Sequence, residues 1–250
     1  MILDESGAPR KHSWQPVDAT TFKVRGPNYL QDRVKYESMP AMFECVKGDI
    51  FRVDEKVPFL ANHPQGFRNR MRAAGDNRML IIHNMMIPPL QAVLVFALDD
   101  HDLCWMRDPE KPETKLWKRW LDLPTTEREY RLKLMARVVD GPWLARKAIA
   151  NKPIVHGGKF PIQFDEVKDD YVEISCDCLQ SSRSAKNIVS VLCGAGSSLV
   201  IDCVLVLEGR EDDELPERIL GGGRFQFPNT SDPPQLLPLA QANEGTQDEC

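Results

Sequence analysis

The sequence lacks a long apolar run. Its longest, Leu199 to Leu207, is too short to cross a membrane and contains Asp202 near its centre. The N-terminal segment also lacks the charged-then-apolar order that is typical of a secretory signal. We therefore expect a cytoplasmic protein, and any contact that it makes with a membrane should be peripheral.

An excess of basic charge is missing as well. The 250 residues carry a net charge of −5, and the isoelectric point is near 5.6. Proteins that bind nucleic acid usually carry a basic patch that raises both values. The composition therefore predicts no nucleic-acid partner, while an apolar fraction of 42% suffices for one substantial core.

Paired cysteines and catalytic motifs are also absent. There is no CxxC pair, no Gly-x-Ser-x-Gly elbow and no glycine-rich phosphate loop before a helix. We therefore expect reduced thiols, no metal, no cofactor and no assignable catalytic residue. The run from Gly221 to Gly223 is interpreted as a turn, and His83, inside an apolar strand, as a core histidine. The seven cysteines are Cys45, Cys104, Cys176, Cys178, Cys193, Cys203 and Cys250.

What the sequence does contain is a set of strands. The β-rich runs 79–87 and 91–98 are split by Pro88-Pro89, which predicts an antiparallel hairpin. The run 171–179 alternates apolar and polar residues, which indicates a strand with one buried and one solvent-exposed face. The run 199–207 is apolar on both faces and predicts a central strand.

Helix signals are fewer. Ser182 can cap a helix that continues to about Cys193, and shorter helices are expected near Pro64 and from Asp140 to about Ile149. The stretch 132–138 fits a strand and a helix equally well. Grouped strands with a few helices predict an α+β fold with a mainly antiparallel sheet.

Asp202 is the one charged residue in the expected central strand. An isolated carboxylate there would cost several kcal/mol, so it needs a partner. Two interpretations remain open: the floor of a polar pocket, and a structural ion pair or a position at the end of the sheet. The basic candidates for either arrangement are Arg25, Lys35, Arg128, Arg131 and Arg218.

A cluster of arginines points towards lipid membranes. Arg68, Arg70, Arg72 and Arg78 lie within eleven residues of an acidic chain. They form either a contact surface for anionic lipid or a solvated helix face paired with local acids. Trp117 and Trp120, three residues apart, are likewise either core residues or an interfacial anchor.

Several segments together resemble one family. The segments that carry the resemblance are Phe22 to Lys35, Asn84 with Pro88, Arg128 to Leu134, Gly141 to Gly157 with Trp143 and Arg146, Tyr171 to Ser182, and Pro216 to Gly221. In this order they are similar to the C-terminal domain of the plant protein Enhanced Disease Resistance 2. Departures include His156, which stands where the family has an apolar residue.

The resemblance implies one domain over residues 14–227, between a flexible segment 1–13 and a disordered tail 228–250. In the plant protein this domain follows a phosphoinositide-binding domain and a START lipid-transfer domain, so the resemblance implies a lipid-associated setting. The leading hypothesis is a non-enzymatic module that associates with lipid or with a membrane surface. The alternatives are a hydrolase or transferase with a dispersed active site, and a protein-interaction adaptor.

Overall fold

The computed structural model describes residues 10–64, 66–98, 106–149 and 153–236. The described strands are β1 Ser13–Pro16, β2 Lys23–Arg25, β3 Lys35–Glu37, β4 Glu44–Arg52, β5 Leu80–Ile87, β6 Leu90–Ala97, β7 Leu132–Asp140, β8 Ile154–Val155, β9 Ile162–Val167, β10 Tyr171–Asp177, β11 Val200–Leu207 and β12 Ile219–Gln226. The described helices are α1 Tyr29–Asp32, α2 Phe67–Ala73, α3 Pro112–Asp122, α4 Thr125–Arg131, α5 Trp143–Ile149 and α6 Arg183–Ala195.

Two five-stranded sheets form the body of the molecule. Sheet 1 has the order β1-β12-β11-β7-β8, and each neighbouring pair in it is antiparallel. Sheet 2 has the order β4-β6-β5-β10-β9 and is antiparallel except between β5 and β10. Strands β2 and β3 form a separate two-stranded ribbon. The predicted α+β fold with mainly antiparallel pairing is confirmed.

The largest apolar core combines residues of both sheets. Leu94 and Phe96 of β6 and Ile174 of β10 belong to one buried cluster with Leu134 of β7 and Leu205 of β11. Alternate residues of a strand point to opposite faces, so each strand sends every second side chain into this core.

The glycine run in β12 corrects one prediction, because it lies within a strand and is not a turn. A Cβ atom added to Gly221 would lie 2.6 Å from the ring of Phe96. A Cβ atom added to Gly223 would lie 2.6 Å from the side chain of Leu94. The bare backbone of β12 therefore leaves room for β6 of the other sheet to approach closely.

Local sequence signals agree with the structure at the hairpin and at the longest helix. Strands β5 and β6 pair from Ile87 and Leu90 onward, on either side of Pro88-Pro89. Helix α6 begins after Ser182, whose side chain accepts a hydrogen bond from the backbone N–H of Ala185. The ambiguous stretch 132–138 is strand β7.

Strand β10 is buried on both faces, contrary to the half-exposed strand that its alternation predicts. The segment around residues 57–62 covers the second face. Glu173 accepts hydrogen bonds from the backbone N–H groups of Leu60 at 2.8 Å and Ala61 at 2.7 Å, and from the Asn84 amide at 3.0 Å. Burial raises the pKa of the Glu173 carboxyl, although these hydrogen bonds act in the opposite direction.

Part of the segment predicted to be disordered runs beside β4. The backbone N–H of Arg52 donates to the carbonyl of Pro234 at 2.8 Å, and the N–H of Leu236 donates to the carbonyl of Arg52 at 2.9 Å. The predictions for residues 1–9 and 237–250 lie outside the described residues, as do Cys104 and Cys250. Within the described ranges, no helix combines the length and the apolar character that spanning a membrane requires.

Candidate functional site

The arginines of α2 are bound to a carboxylate. Arg68 and Arg72 lie one turn apart and form ion pairs with the two carboxylate oxygens of Asp170. Arg72 Nη2 lies 2.5 Å from Oδ1. Asp170 directly precedes β10, so these ion pairs fasten α2 to sheet 2. Burial acts to raise the pKa of Asp170, but the hydrogen bonds from the two guanidinium groups prevail and hold it below its usual range.

The other two arginines of the predicted lipid-contact set differ in their surroundings. Arg78 forms an ion pair with Asp76 at 2.8 Å. Arg70 is exposed and, with Arg68, lines a cavity of about 230 Å³ over apolar residues of sheet 2 such as Val93. Arg68, Arg72 and Arg78 pair with acids, as the solvated-face interpretation expects. Membrane contact through this segment remains a prediction.

Trp117 and Trp120 are core residues, which corrects their inclusion among lipid contacts. Their exposed fractions are 1% and 0%, and their rings stack with centroids 5.5 Å apart. The indole N–H of Trp120 donates to the carbonyl of Arg128 at 3.0 Å. Side chains enclosed in this way cannot reach a bilayer, and the sequence spacing alone could not separate a buried helix face from an exposed one.

Asp202 is fully buried and belongs to a structural ion pair with two arginines that the sequence analysis did not select. Arg224 Nε lies 2.5 Å from Asp202 Oδ1, and Arg137 Nη2 lies 2.8 Å from Oδ2. Both partners are directly opposite Asp202 in the register of sheet 1, Arg224 on β12 and Arg137 on β7. The carboxylate is therefore neutralised by its cross-strand neighbours.

None of the five basic residues proposed as partners of Asp202 contacts it. Lys35 is exposed on β3, and the arginines bind other acids. These pairs are Arg25 with Glu208 at 3.0 Å, Arg128 with Glu166 at 2.7 Å, Arg131 with Glu214 at 2.9 Å, and Arg218 with Glu113 at 3.3 Å. The dispersed set therefore does not form a single polar pocket.

An exposed apolar surface lies on α5 instead. Trp143 and Leu144 have exposed fractions of 67% and 56%, the two highest among the large apolar side chains of the described residues. Lys147, one turn after Trp143, places its ammonium group 4.9 Å from the centre of the Trp143 ring. Arg146 is exposed beside them. We call Trp143, Leu144 and Lys147 the α5 face.

The opposite side of α5 fixes the helix to the body of the protein. Ala145 and Ile149, four residues apart, are buried in the main core. The chain enters the helix through Gly141, whose φ of 147° favours glycine. Arg146 donates to the Gly141 carbonyl at 3.0 Å and to Asp140 at 2.9 Å, which ties the helix to the end of β7. The α5 face is thus presented by an anchored helix.

A second arrangement of functional side chains lies inside the protein. The Nε2 atoms of His83 and His156 are 3.2 Å apart, and the Cys176 sulfur is 3.5 Å from His83 Nε2. The three ligand atoms lie within 4.8 Å of one another, and all three residues are buried. We call His83, His156 and Cys176 the His–Cys triad. The sequence predicted no metal site, and it did not link these residues.

Rigid backbone positions the triad. His83 and Cys176 lie on the adjacent parallel strands β5 and β10, where Ile174 pairs with His83 and Cys176 pairs with Met85. His156 directly follows β8, and its backbone N–H donates to the carbonyl of Leu132 at 3.0 Å. The triad lines a cavity of about 100 Å³ whose other walls include α6 and sheet 1.

Burial controls the protonation of the triad. It lowers the pKa of His83 well below its usual value, with a smaller effect from His156, and lowers the pKa of His156 to about 4. It raises the pKa of the Cys176 thiol well above its usual value. Both imidazoles are therefore neutral near pH 7, and each keeps a lone pair. Among the described residues, neither His83 Nδ1 nor His156 Nδ1 has a hydrogen-bond partner.

Comparison with known proteins identifies the family. The family described as "Protein ENHANCED DISEASE RESISTANCE 2, C-terminal" matches residues 14–227. The chain therefore belongs to this family, as its sequence segments indicated. It is 24% identical over 215 residues to a protein of Arabidopsis thaliana named "Protein ENHANCED DISEASE RESISTANCE 2-like". The match covers 86% of this chain and 28% of that relative. No solved structure matches the chain.

The α5 face had a signal in the sequence that could have revealed it. Trp143 and Lys147 are spaced to share one side of a helix, while Ala145 and Ile149 share another side. The His–Cys triad had no such signal, because His83 is separated from His156 by 73 residues and from Cys176 by 93.

Proposed function

We propose that this chain is a peripheral membrane-associated module that contacts anionic lipid through the α5 face. The observation that carries the proposal is the exposure of Trp143 and Leu144 beside Lys147. Tryptophan is enriched at membrane–water interfaces, where its ring lies at headgroup level. The family resemblance, which implies a lipid-associated setting, supports the same function.

The composition of the α5 face favours a bilayer that carries negative charge. Each Lys or Arg close to an anionic leaflet contributes about 1 kcal/mol, and Lys147 lies on the exposed part of α5, whereas the charge of Arg146 is paired with Asp140. Burying Leu144 and Trp143 in the boundary region adds about 1.5–3 kcal/mol for each side chain that becomes fully buried. Apolar and electrostatic terms of this size give reversible binding.

The anchoring of α5 limits how deeply the face can insert. Ala145 and Ile149 hold the inner side of the helix in the core, so only the outward side chains can enter the lipid. Arg68 and Arg70 of α2 are a second candidate contact, but Asp170 neutralises part of the charge of α2. We therefore assign the main contact to α5.

Vesicle sedimentation tests the proposal. The parent protein should bind vesicles of phosphatidylcholine mixed with phosphatidylserine, and bind less to phosphatidylcholine alone. The double variant Trp143→Ala/Leu144→Ala should partition on the order of a hundredfold less, which corresponds to about 3 kcal/mol. Tyr130→Ala is the matched control, because Tyr130 is an exposed aromatic residue of α4 with an exposed fraction of 46%.

Two outcomes would count against the assignment. Unchanged binding by the double variant, together with a loss in a triple Arg68→Gln/Arg70→Gln/Arg72→Gln variant, would move the contact to α2. Absence of binding by the parent protein to either vesicle would contradict the membrane function and favour a protein-interaction adaptor that uses the same apolar surface.

A further inference from the structure

The geometry points to a zinc site formed by His83 Nε2, His156 Nε2 and Cys176 Sγ. This inference goes beyond the proposed membrane function and concerns the interior of the protein. It also reverses the expectation of no metal, which was based on the absence of CxxC pairs. Imidazole nitrogen and thiolate sulfur are the usual protein ligands of zinc.

Two of the three distances within the triad are close to those of a zinc coordination shell. Tetrahedral zinc with bonds of about 2.0–2.1 Å to nitrogen and about 2.3 Å to sulfur separates two nitrogens by about 3.4 Å, and nitrogen from sulfur by about 3.6 Å. The His83–His156 distance is 3.2 Å and the His83–Cys176 distance is 3.5 Å, and all three ligand atoms lie within 4.8 Å of one another. Small shifts of the side chains would therefore admit the ion.

Ordinary core packing explains the triad less well. His83 Nε2 faces both His156 Nε2 and the Cys176 sulfur, and a neutral imidazole nitrogen carries either one proton or one lone pair, so it can form a normal hydrogen bond with only one of them. Three buried ligand atoms that converge in this way are a suitable ligand set for one metal ion.

The surrounding cavity can complete the coordination. Three protein ligands leave a fourth position on zinc, which a water molecule commonly fills. The cavity of about 100 Å³ has room for such a water, since a water occupies about 30 Å³ of liquid. The positive charge of the ion would stabilise the Cys176 thiolate, which burial otherwise disfavours.

Copper is the competing metal, because Met85 lines the same cavity and a long Met contact accompanies two His and one Cys in copper sites. We assign zinc, since no described contact places the Met85 sulfur beside the triad. Metal analysis that measures both elements separates the two assignments.

The experiment is elemental analysis of untagged protein purified from medium that contains zinc and copper. We expect close to one zinc per chain in the parent, and at least a tenfold loss in Cys176→Ala and in His156→Phe. Cys203→Ala is the matched control, because Cys203 is a buried thiol of the same cavity outside the triad. It should retain zinc.

A second measurement uses the parent protein alone, so its result does not depend on whether the variants fold. Cobalt added to the chelator-treated parent should give the charge-transfer absorption of a cobalt–thiolate bond, and zinc should displace it. Zinc should also raise the thermal midpoint of the treated protein. Absence of both zinc and the cobalt spectrum in the parent would overturn the site. Copper in place of zinc, or full zinc retention by folded Cys176→Ala, would overturn the assignment.

Discussion

The ammonium group of Lys147 lies 4.9 Å from the centre of the Trp143 ring. The two residues are one helical turn apart, so both project from the exposed side of α5. A cation over an indole face contributes about 0.5–1 kcal/mol at an exposed site, which restrains the ring. At an anionic surface the same arrangement would place a positive charge at headgroup level while the ring meets the apolar boundary.

Replacing Lys147 should weaken the electrostatic part of membrane binding alone. We expect Lys147→Gln to lower partitioning onto anionic vesicles about fivefold, since one basic residue contributes about 1 kcal/mol. Binding to neutral vesicles should not change, and the salt dependence should become shallower. The control is Lys23→Gln, the same charge change on the exposed face of β2. An equal loss in both variants would indicate a response to net charge and not to α5.

Asp170 should contribute stability that depends on pH. Its pKa is lowered in the folded state, so the contribution is present above the ordinary pKa of 3.8 and is lost as the pH falls through the folded pKa. Asp170→Asn should therefore be less stable than the parent at pH 7, and the difference should shrink as the pH falls below about 4. Urea unfolding across this range measures it. Asp122→Asn, at an exposed acid of α3, removes the same charge and is the control.

Local patterns in the sequence predicted the local parts of the fold. The β5–β6 hairpin follows from two β-rich runs around Pro88-Pro89, and α6 follows from the Ser182 cap. Both depend on residues close together in the chain. Burial of the second face of β10 could not be predicted, because the segment that covers it is distant in the chain. Leu60 and its hydrogen-bond partner Glu173 are 113 residues apart.

In the candidate sites, too, local patterns were predicted and contacts between distant residues were not. The cluster that contains Arg68 and Arg72 was recognised from its density of arginines, but their partner Asp170 comes from a distant turn. The partners of Asp202 were missed because strand register, and not composition, places Arg137 and Arg224 opposite it. The pairing of strands that are distant in the chain decides which charges meet, and this pairing cannot be predicted from a single sequence.

Removing the Asp202 carboxylate should be strongly destabilising. Asp202→Asn would leave Arg137 and Arg224 without their shared counter-ion, and breaking a buried ion pair typically costs about 3–5 kcal/mol. Both arginines are partly exposed, so we expect a value near the lower end, about 3 kcal/mol. Arg137→Gln should cost less, because Arg224 would still neutralise Asp202. Chemical denaturation measures both, and a cost for Asp202→Asn below that of Arg137→Gln would contradict this account.

The close approach of the sheets at Gly221 gives the last prediction. Gly221→Ala would place a methyl group 2.6 Å from the Phe96 ring, so something must move, and overpacking of this kind costs about 1–3 kcal/mol. Gly194→Ala is the control, because its Cβ meets nothing within 4 Å and alanine is preferred over glycine in a helix by about 1 kcal/mol. It should leave the stability unchanged or raise it. If contact with Phe96 is the cause, Phe96→Leu should relieve part of the cost, and a double-mutant cycle should give a coupling energy of at least about 0.5 kcal/mol. Strict additivity of the two substitutions would show that β12 and β6 do not meet at this position.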